Sequence, residues 1–266
     1  MEELSSGFMG KLRPIKVEEQ IRLGSDFDGG YVLPRIALEN ASVLISIGYG
    51  NNADFEYDFL KLGLQKRVEL YESSFDLQSV CRDFLLSVIR LTRDERAFPL
   101  YRLKCLILYL RVISRWRLKY FREEVRGSSN TYGVSTISFT SILSSQKNLS
   151  KVLLKMDIEG AEYECLGSVI TSPELSQLVA LVVEFHSIPE NQDKFDNLLE
   201  KLGNNFVISN IHINNFAESW CGIPRVVEMV FLNKKFLNQS STFVNSIPHF
   251  LDRPCDPRRP DIFYQY

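Results

Sequence analysis

Residues 153–166 read LLKMDIEGAEYECL, and the change of pattern inside this stretch decides the fold class. Val152–Met156 (VLLKM) is a short apolar run without alternation, as expected of a strand covered on both faces. Asp157 and Glu159 fall at its carboxyl end, and a helix begins around Gly160. Strand, turn and helix in that order belong to an α/β sheet with crossover helices, where ligands sit at the carboxyl ends of the strands. Two acids at such an end can orient a substrate hydroxyl, hold a cation or receive a proton; they can equally cap the helix. Glu162 and Glu164 lie further along and read as first-turn acids stabilised by the helix dipole.

The same rhythm extends to both sides. Candidate strands are Val43–Ile47, Arg67–Tyr71, Val152–Met156, Leu178–Phe185, Phe206–Ile211 and Val226–Leu232. Between them Asp54–Leu64, Glu159–Ile170 and Asp193–Leu202 read as helices. The expectation is one α/β domain over residues 1–266, with a mostly parallel central sheet flanked by helices.

Three further stretches place chemistry at the same sheet edge. SIGYGNN, Ser46 to Asn52, ends the first strand and leads into a helix. Its glycines let backbone approach a ligand, and the helix start offers free amides. Some twenty residues on, RVELY is followed by Glu72, the position from which an acid reaches ribose hydroxyls in nucleoside-binding folds. In VVEFHS, Glu184 and His186 flank Phe185 and share a face if the strand runs that far. His212, in NIHINN, ends a later strand on that edge, so two of the chain's three histidines meet there as near-neutral proton acceptors.

Composition excludes several classes. At 266 residues, 45% hydrophobic and 24% charged, the chain reads as a folded soluble protein, and a net charge of −2 gives no polyanion signal for the whole molecule. Its five cysteines are scattered without a CxxC pair, against a metal finger or a disulfide framework, and fit a reduced, cytoplasmic setting. No signal peptide or membrane span is read. One segment departs from the rhythm: residues 81–126 read as a basic helical insertion, twelve Lys or Arg against five acids, with the sheet resuming near Gly133–Ile137. Leu103, Leu106, Ile107, Leu110, Ile113 and Trp116 recur there at helical spacing, which suits a lid, a dimer contact, or a helix resting on an anionic membrane.

RLGSDFDGGYVL (22–33), SIGYGNNADFEYDF (46–59), LKMDIEGAEYECL (154–166), VVEFHSI (182–188), IHINN (211–215) and LDRPCDPRRPDI (251–262) follow one another in this order. Together they resemble the FkbM-like and related methyltransferase-domain families, with DIEGAE the most specific of them. The resemblance implies a Rossmann-like class I methyltransferase that binds S-adenosylmethionine and methylates a hydroxyl of a sugar or glycan, such as an O-antigen or other surface polysaccharide. By position, Gly48, Tyr49 and Gly50 would line the methionine half of the cofactor, Asp54 or Glu56 would meet its ammonium group, and Glu72 its ribose. Asn51, Ser73 and Asp157 go with the same site. Asp26–Tyr31, including Gly30 and Tyr31, would close over cofactor or acceptor. His186 is the expected base, with Asp157, Glu159 or His212 orienting the acceptor or substituting for it. A divalent cation on Asp157, Glu159 and Glu184 is the open alternative. The first loop lacks the Asp-x-Gly-x-Asn pattern common in the FkbM-like group, and Glu72 stands where related chains often have Asp.

Two other classes remain open. Glycine turn plus strand-two acid also describes a nucleotide-binding oxidoreductase, although GYGNN lacks the third glycine of the dinucleotide fingerprint. A non-catalytic module could use 81–126 on nucleic acid or membrane; the acids and histidines gathered at one edge speak against it. No nucleic-acid acceptor is expected, and oligomeric state is not legible.

Overall fold

A computed structural model describes residues 4–48, 52–73, 118–121, 123–127, 136–237 and 242–266. Tyr49, Gly50, Asn51 and the stretch 81–117 lie outside the described residues, and with them the helical reading of the insertion. The elements in chain order are α1 (Ser6–Lys11), β1 (Gln20–Gly24), β2 (Gly30–Pro34), α2 (Arg35–Asn40), β3 (Val43–Ile47), α3 (Asp54–Lys61), β4 (Arg67–Tyr71), β5 (Leu118–Phe121), β6 (Glu124–Arg126), β7 (Thr136–Ser138), α4 (Phe139–Ser145), β8 (Val152–Met156), α5 (Glu162–Val169), β9 (Ala180–Phe185), α6 (Gln192–Leu202), β10 (Phe206–Ile213), β11 (Ser219–Trp220), β12 (Ile223–Pro224), β13 (Val227–Asn233), β14 (Ser246–Ile247) and β15 (Tyr264–Gln265).

Seven strands form the central sheet in the order β10-β13-β9-β8-β3-β4-β5. β9, β8, β3, β4 and β5 run parallel, and β13 is antiparallel to both of its neighbours. The sheet is therefore doubly wound, and its carboxyl edge gathers the ends of β3, β4, β8, β9 and β10. Strand alternation divides the side chains between two cores. Val43, Ile45 and Ile47 of β3, with Val152, Leu154 and Met156 of β8, pack under α1, α4, α5 and α6. Leu44 and Leu153 face the other way, onto α2, α3 and the β1–β2 hairpin, where Phe55 and Phe59 are fully buried. Removing all this apolar surface from water is the main driving force for the architecture.

The extent of the insertion needs correction. Leu118–Phe121 is the edge strand of the central sheet, parallel to β4, and Glu124–Arg126 pairs with Thr136–Ser138 in a small separate sheet. The sheet is thus re-entered at Leu118, ahead of the expected Gly133–Ile137. Phe121 stacks on Tyr71 with ring centroids 4.5 Å apart, while the exposed Lys119 pairs with Glu69 at 3.6 Å. An edge strand with one wet face tolerates such charges, which is why it hides inside a basic stretch. Among the described residues no helix is long and apolar enough to cross a membrane.

Candidate active site

The carboxyl edge is built from tight loops. The Gly48 N–H donates to the Tyr71 carbonyl at 3.0 Å, and the Asp157 N–H donates to the Ile47 carbonyl at 3.0 Å. Gly48 has φ +72°, and a Cβ there would lie 1.8 Å from the Asp157 carbonyl oxygen. Only glycine lets the ends of β3 and β8 come this close. Lys155, buried in β8, reaches across to donate to the Gly48 carbonyl at 3.0 Å and stands over the Tyr31 ring at 5.7 Å.

Carboxylates line the edge. Glu184, Glu228 and His212 are successive partners across β9, β13 and β10. Asp157 follows the Met156–Val183 pair by one residue. A cleft of about 230 Å³ opens here, lined among others by Asp28, Asp157, Glu159, Glu184, His186 and Asn214. Glu184 is buried; it accepts from Asn214 Nδ2 at 3.0 Å and from the Tyr31 hydroxyl at 3.4 Å. His186 follows β9 directly. Its Nδ1 lies 2.7 Å from Glu162 Oε1, and its Nε2 faces Glu159 at 3.5 Å, Glu184 at 3.7 Å and Asp157 at 3.9 Å.

Crowding shifts the titrations. Burial raises Glu184 well above the ordinary glutamate value, and the charges of Asp157, Glu228 and Asp28 add to it. Burial also raises Asp157, against the pull of Lys155 and His186. Desolvation, with Glu228 and Asp157 close by, pushes Asp28 up to about 6. For His186, burial acts downward, but the hydrogen bond and charge of Glu162, then Asp157 and Glu159, outweigh it and raise the value. The cleft therefore carries a surplus of negative charge, shared with protons, and favours a cationic ligand.

Asp157, Glu159 and His186 meet at one point, as their positions in the sequence implied. His212 does not join them. It is buried, with Nδ1 2.7 Å from Glu228 and Nε2 2.9 Å from Asp261, so both nitrogens are taken and it clamps the C-terminal segment instead of serving a substrate. Gly30 and Tyr31 do not form a flap. Tyr31 is buried beneath the cleft, and a Cβ on Gly30 would collide with the Ser25 carbonyl at 2.1 Å, so the hairpin itself requires that glycine. Its neighbour Asp28 is the hairpin residue that lines the cleft. Glu56 is fully buried: Oε1 accepts from Ser46 Oγ at 2.5 Å, and Oε2 finds no donor among the described residues. Glu72 is buried at the end of β4, its backbone held by the Phe121 carbonyl and the Tyr120 hydroxyl, with Ser73 beside it. Asp54 is buried in the first turn of α3, its N–H capped by Asn52 Oδ1 at 3.0 Å.

Lys155, Glu228, Asn214 and Glu162 escape a reading based on strand ends. For Lys155 and Glu228 there was a signal, since a charge inside an otherwise apolar strand implies a buried partner.

A family model described as methyltransferase FkbM domain matches residues 50–207. No curated protein matches the chain. Among solved structures, the Methanococcus jannaschii fibrillarin pre-rRNA processing protein is 8% identical, with 74% of this chain and 69% of that one covered at a TM-score of 0.38. The precorrin-6y C5,15-methyltransferase from Geobacter metallireducens is 13% identical, with 74% and 85% covered at 0.34.

Proposed function

The chain belongs to the FkbM-domain methyltransferases, and from that premise we propose that it methylates a hydroxyl of a sugar or glycan, using S-adenosylmethionine and His186 as the base. The observation that carries the reading is the free edge of His186: Nε2 faces the cleft and its carboxylates, while Nδ1 is held from behind. An imidazole so placed accepts the hydroxyl proton as the oxygen attacks.

The residues present fit the cofactor. Both its ammonium and its sulfonium are cations, and the cleft has a surplus of carboxylates for them. The buried Glu56 Oε2, without a donor among the described residues, suits the ammonium group, and Glu72 at the end of β4 suits the ribose hydroxyls. When bound, S-adenosylmethionine supplies an electrophilic methyl group. The chain's part is to hold the acceptor oxygen in line, exclude water and take the proton at His186 Nε2. Asp157 and Glu159 accept hydrogen bonds from the acceptor's hydroxyls. A second cavity of about 460 Å³, lined by Asn215, Ala217, Glu218, Ser219, Arg259, Pro260 and Ile262, shares Ala217 with the cleft and offers room for the rest of a glycan. The charge of 81–126 favours an acceptor carried on an anionic lipid or phosphate.

Titration calorimetry with S-adenosylhomocysteine, and NAD as comparison, tests the reading. Micromolar binding of the former and none of the latter supports it and licenses an acceptor screen starting with sugars. Binding of NAD alone overturns it.

A further inference from the structure

Glu162 and Glu164 share the first turn of α5, yet only Glu164 is exposed, as an acid serving the helix dipole would be. Glu162 is completely buried, with Oε1 facing three nitrogens: His186 Nδ1 at 2.7 Å, the Gly160 amide at 3.1 Å and the Ile158 amide at 3.3 Å. Its Oε2 is buried without a donor among the described residues. Leaving a carboxylate oxygen in that state is unfavourable, and a helix does not need it there. The next residue acts on the same histidine, since the Tyr163 hydroxyl donates to the His186 carbonyl at 2.8 Å.

We infer that Glu162 is the positioning residue of this site. It holds His186 in the tautomer whose proton is on Nδ1, which leaves the Nε2 lone pair facing the cleft. A carboxylate has no proton to offer, so the nitrogen beside it must donate. Through the same oxygen Glu162 also sets the turn that carries Asp157 and Glu159. In that turn Glu159 and Gly160 are both left-handed, at φ +54° and +107°, a costly geometry for Glu159 that the two amide bonds to Glu162 stabilise. One buried oxygen thus ties the base to the acids around it. The inference rests on the reading of His186 as the base.

The tautomer half of the test needs no acceptor; the turnover half uses the sugar acceptor found by the screen above. With only three histidines in the chain, ¹⁵N-histidine labelling of the full-length protein gives a simple spectrum, and His186→Gln identifies the His186 signals. At a pH where the ring is neutral, the wild type should show a protonated Nδ1 and an unprotonated Nε2. Glu162→Gln should keep that pattern, because its oxygen still answers the two backbone amides. Glu162→Ala should move the proton to Nε2 and lower turnover by about 10²-fold or more. A wild-type ring protonated on Nε2 overturns the inference without any variant, and so does a folded Glu162→Ala protein with the Nδ1 proton retained. A displaced proton with unchanged turnover would leave Glu162 as the positioning residue and remove His186 as the base.

Discussion

His186 must be neutral to take a proton, and its surroundings raise its pKa: burial pulls downward, but Glu162, Asp157 and Glu159 prevail. The rate should therefore fall as pH drops through that raised value, with the acid limb of kcat/KM above the ordinary 6.5. His186→Gln should abolish the limb and cut turnover by about 10²–10⁴-fold. An acid limb well below 6.5 would remove His186 as the base. Glu72→Ala should weaken S-adenosylhomocysteine binding by about 1.5–3 kcal/mol through lost charged hydrogen bonds, roughly 10- to 150-fold by calorimetry. Unchanged affinity would take the ribose from Glu72. At this scale Asp157, Glu159 and His186 are legible in the sequence because each lies within three residues of a strand end, and strand ends can be read. The partners that define their roles cannot. Glu162 bonds a histidine 24 residues away, and His212 is occupied by Asp261 across 49. Whether an imidazole is free or consumed depends on contacts that only the tertiary fold makes.

Val43–Ile47 and Val152–Met156, buried along their whole length, stand as read, and so does Arg67–Tyr71, which is buried on one face; helix Asp193–Leu202 differs by one residue at its start. The β1–β2 hairpin is not legible as structure: the family resemblance makes Asp26–Tyr31 a ligand-closing segment, whereas Gly24, Gly29 and Gly30 serve the hairpin itself. Helix Glu159–Ile170 begins later, at Glu162, because Asp157–Gly160 forms the left-handed turn at the cleft mouth. The turn at Gly48 makes a prediction about how β3 and β8 are joined. Gly48→Ala forces a left-handed alanine, at about 1–2 kcal/mol, and adds a Cβ 1.8 Å from the Asp157 carbonyl oxygen. The loops must separate, so both stability and cofactor affinity should fall, measured by urea unfolding and calorimetry on the same sample. An alanine variant with both unchanged would show that the two strand ends do not need this contact.

For the whole molecule, the C-terminal segment is fastened to β10 and the loop after it. Asn210 donates to Asp252, His212 bridges Glu228 to Asp261, and Asn215 accepts from the Asp256 amide while donating to the carbonyls of Asp256, Arg259 and Pro260. Asn215, Arg259 and Pro260 among them also line the larger cavity, so part of the clamp on the tail shapes that cavity as well. His212 carries the charge in this clamp. Burial opposes its protonation, but Glu228 and Asp261 hold its pKa well above 6.5. A histidine with a raised folded-state pKa contributes its full stability below about 6.5, the unfolded value, and loses it as pH rises through the folded value. Replacing it with asparagine leaves the buried Glu228 without its cationic partner, and removing one partner from such a buried pair costs about 3–5 kcal/mol. That is a large share of a domain stability of about 5–15 kcal/mol. His212→Asn should therefore lower the urea midpoint strongly at pH 6, and the gap to wild type should narrow as pH rises. Limited proteolysis should cut the variant first within 252–262. A variant as stable as wild type at pH 6, with its tail protected, would mean that Glu228 and Asp261 do not need the imidazolium and that His212 is free for another role at the edge of the sheet.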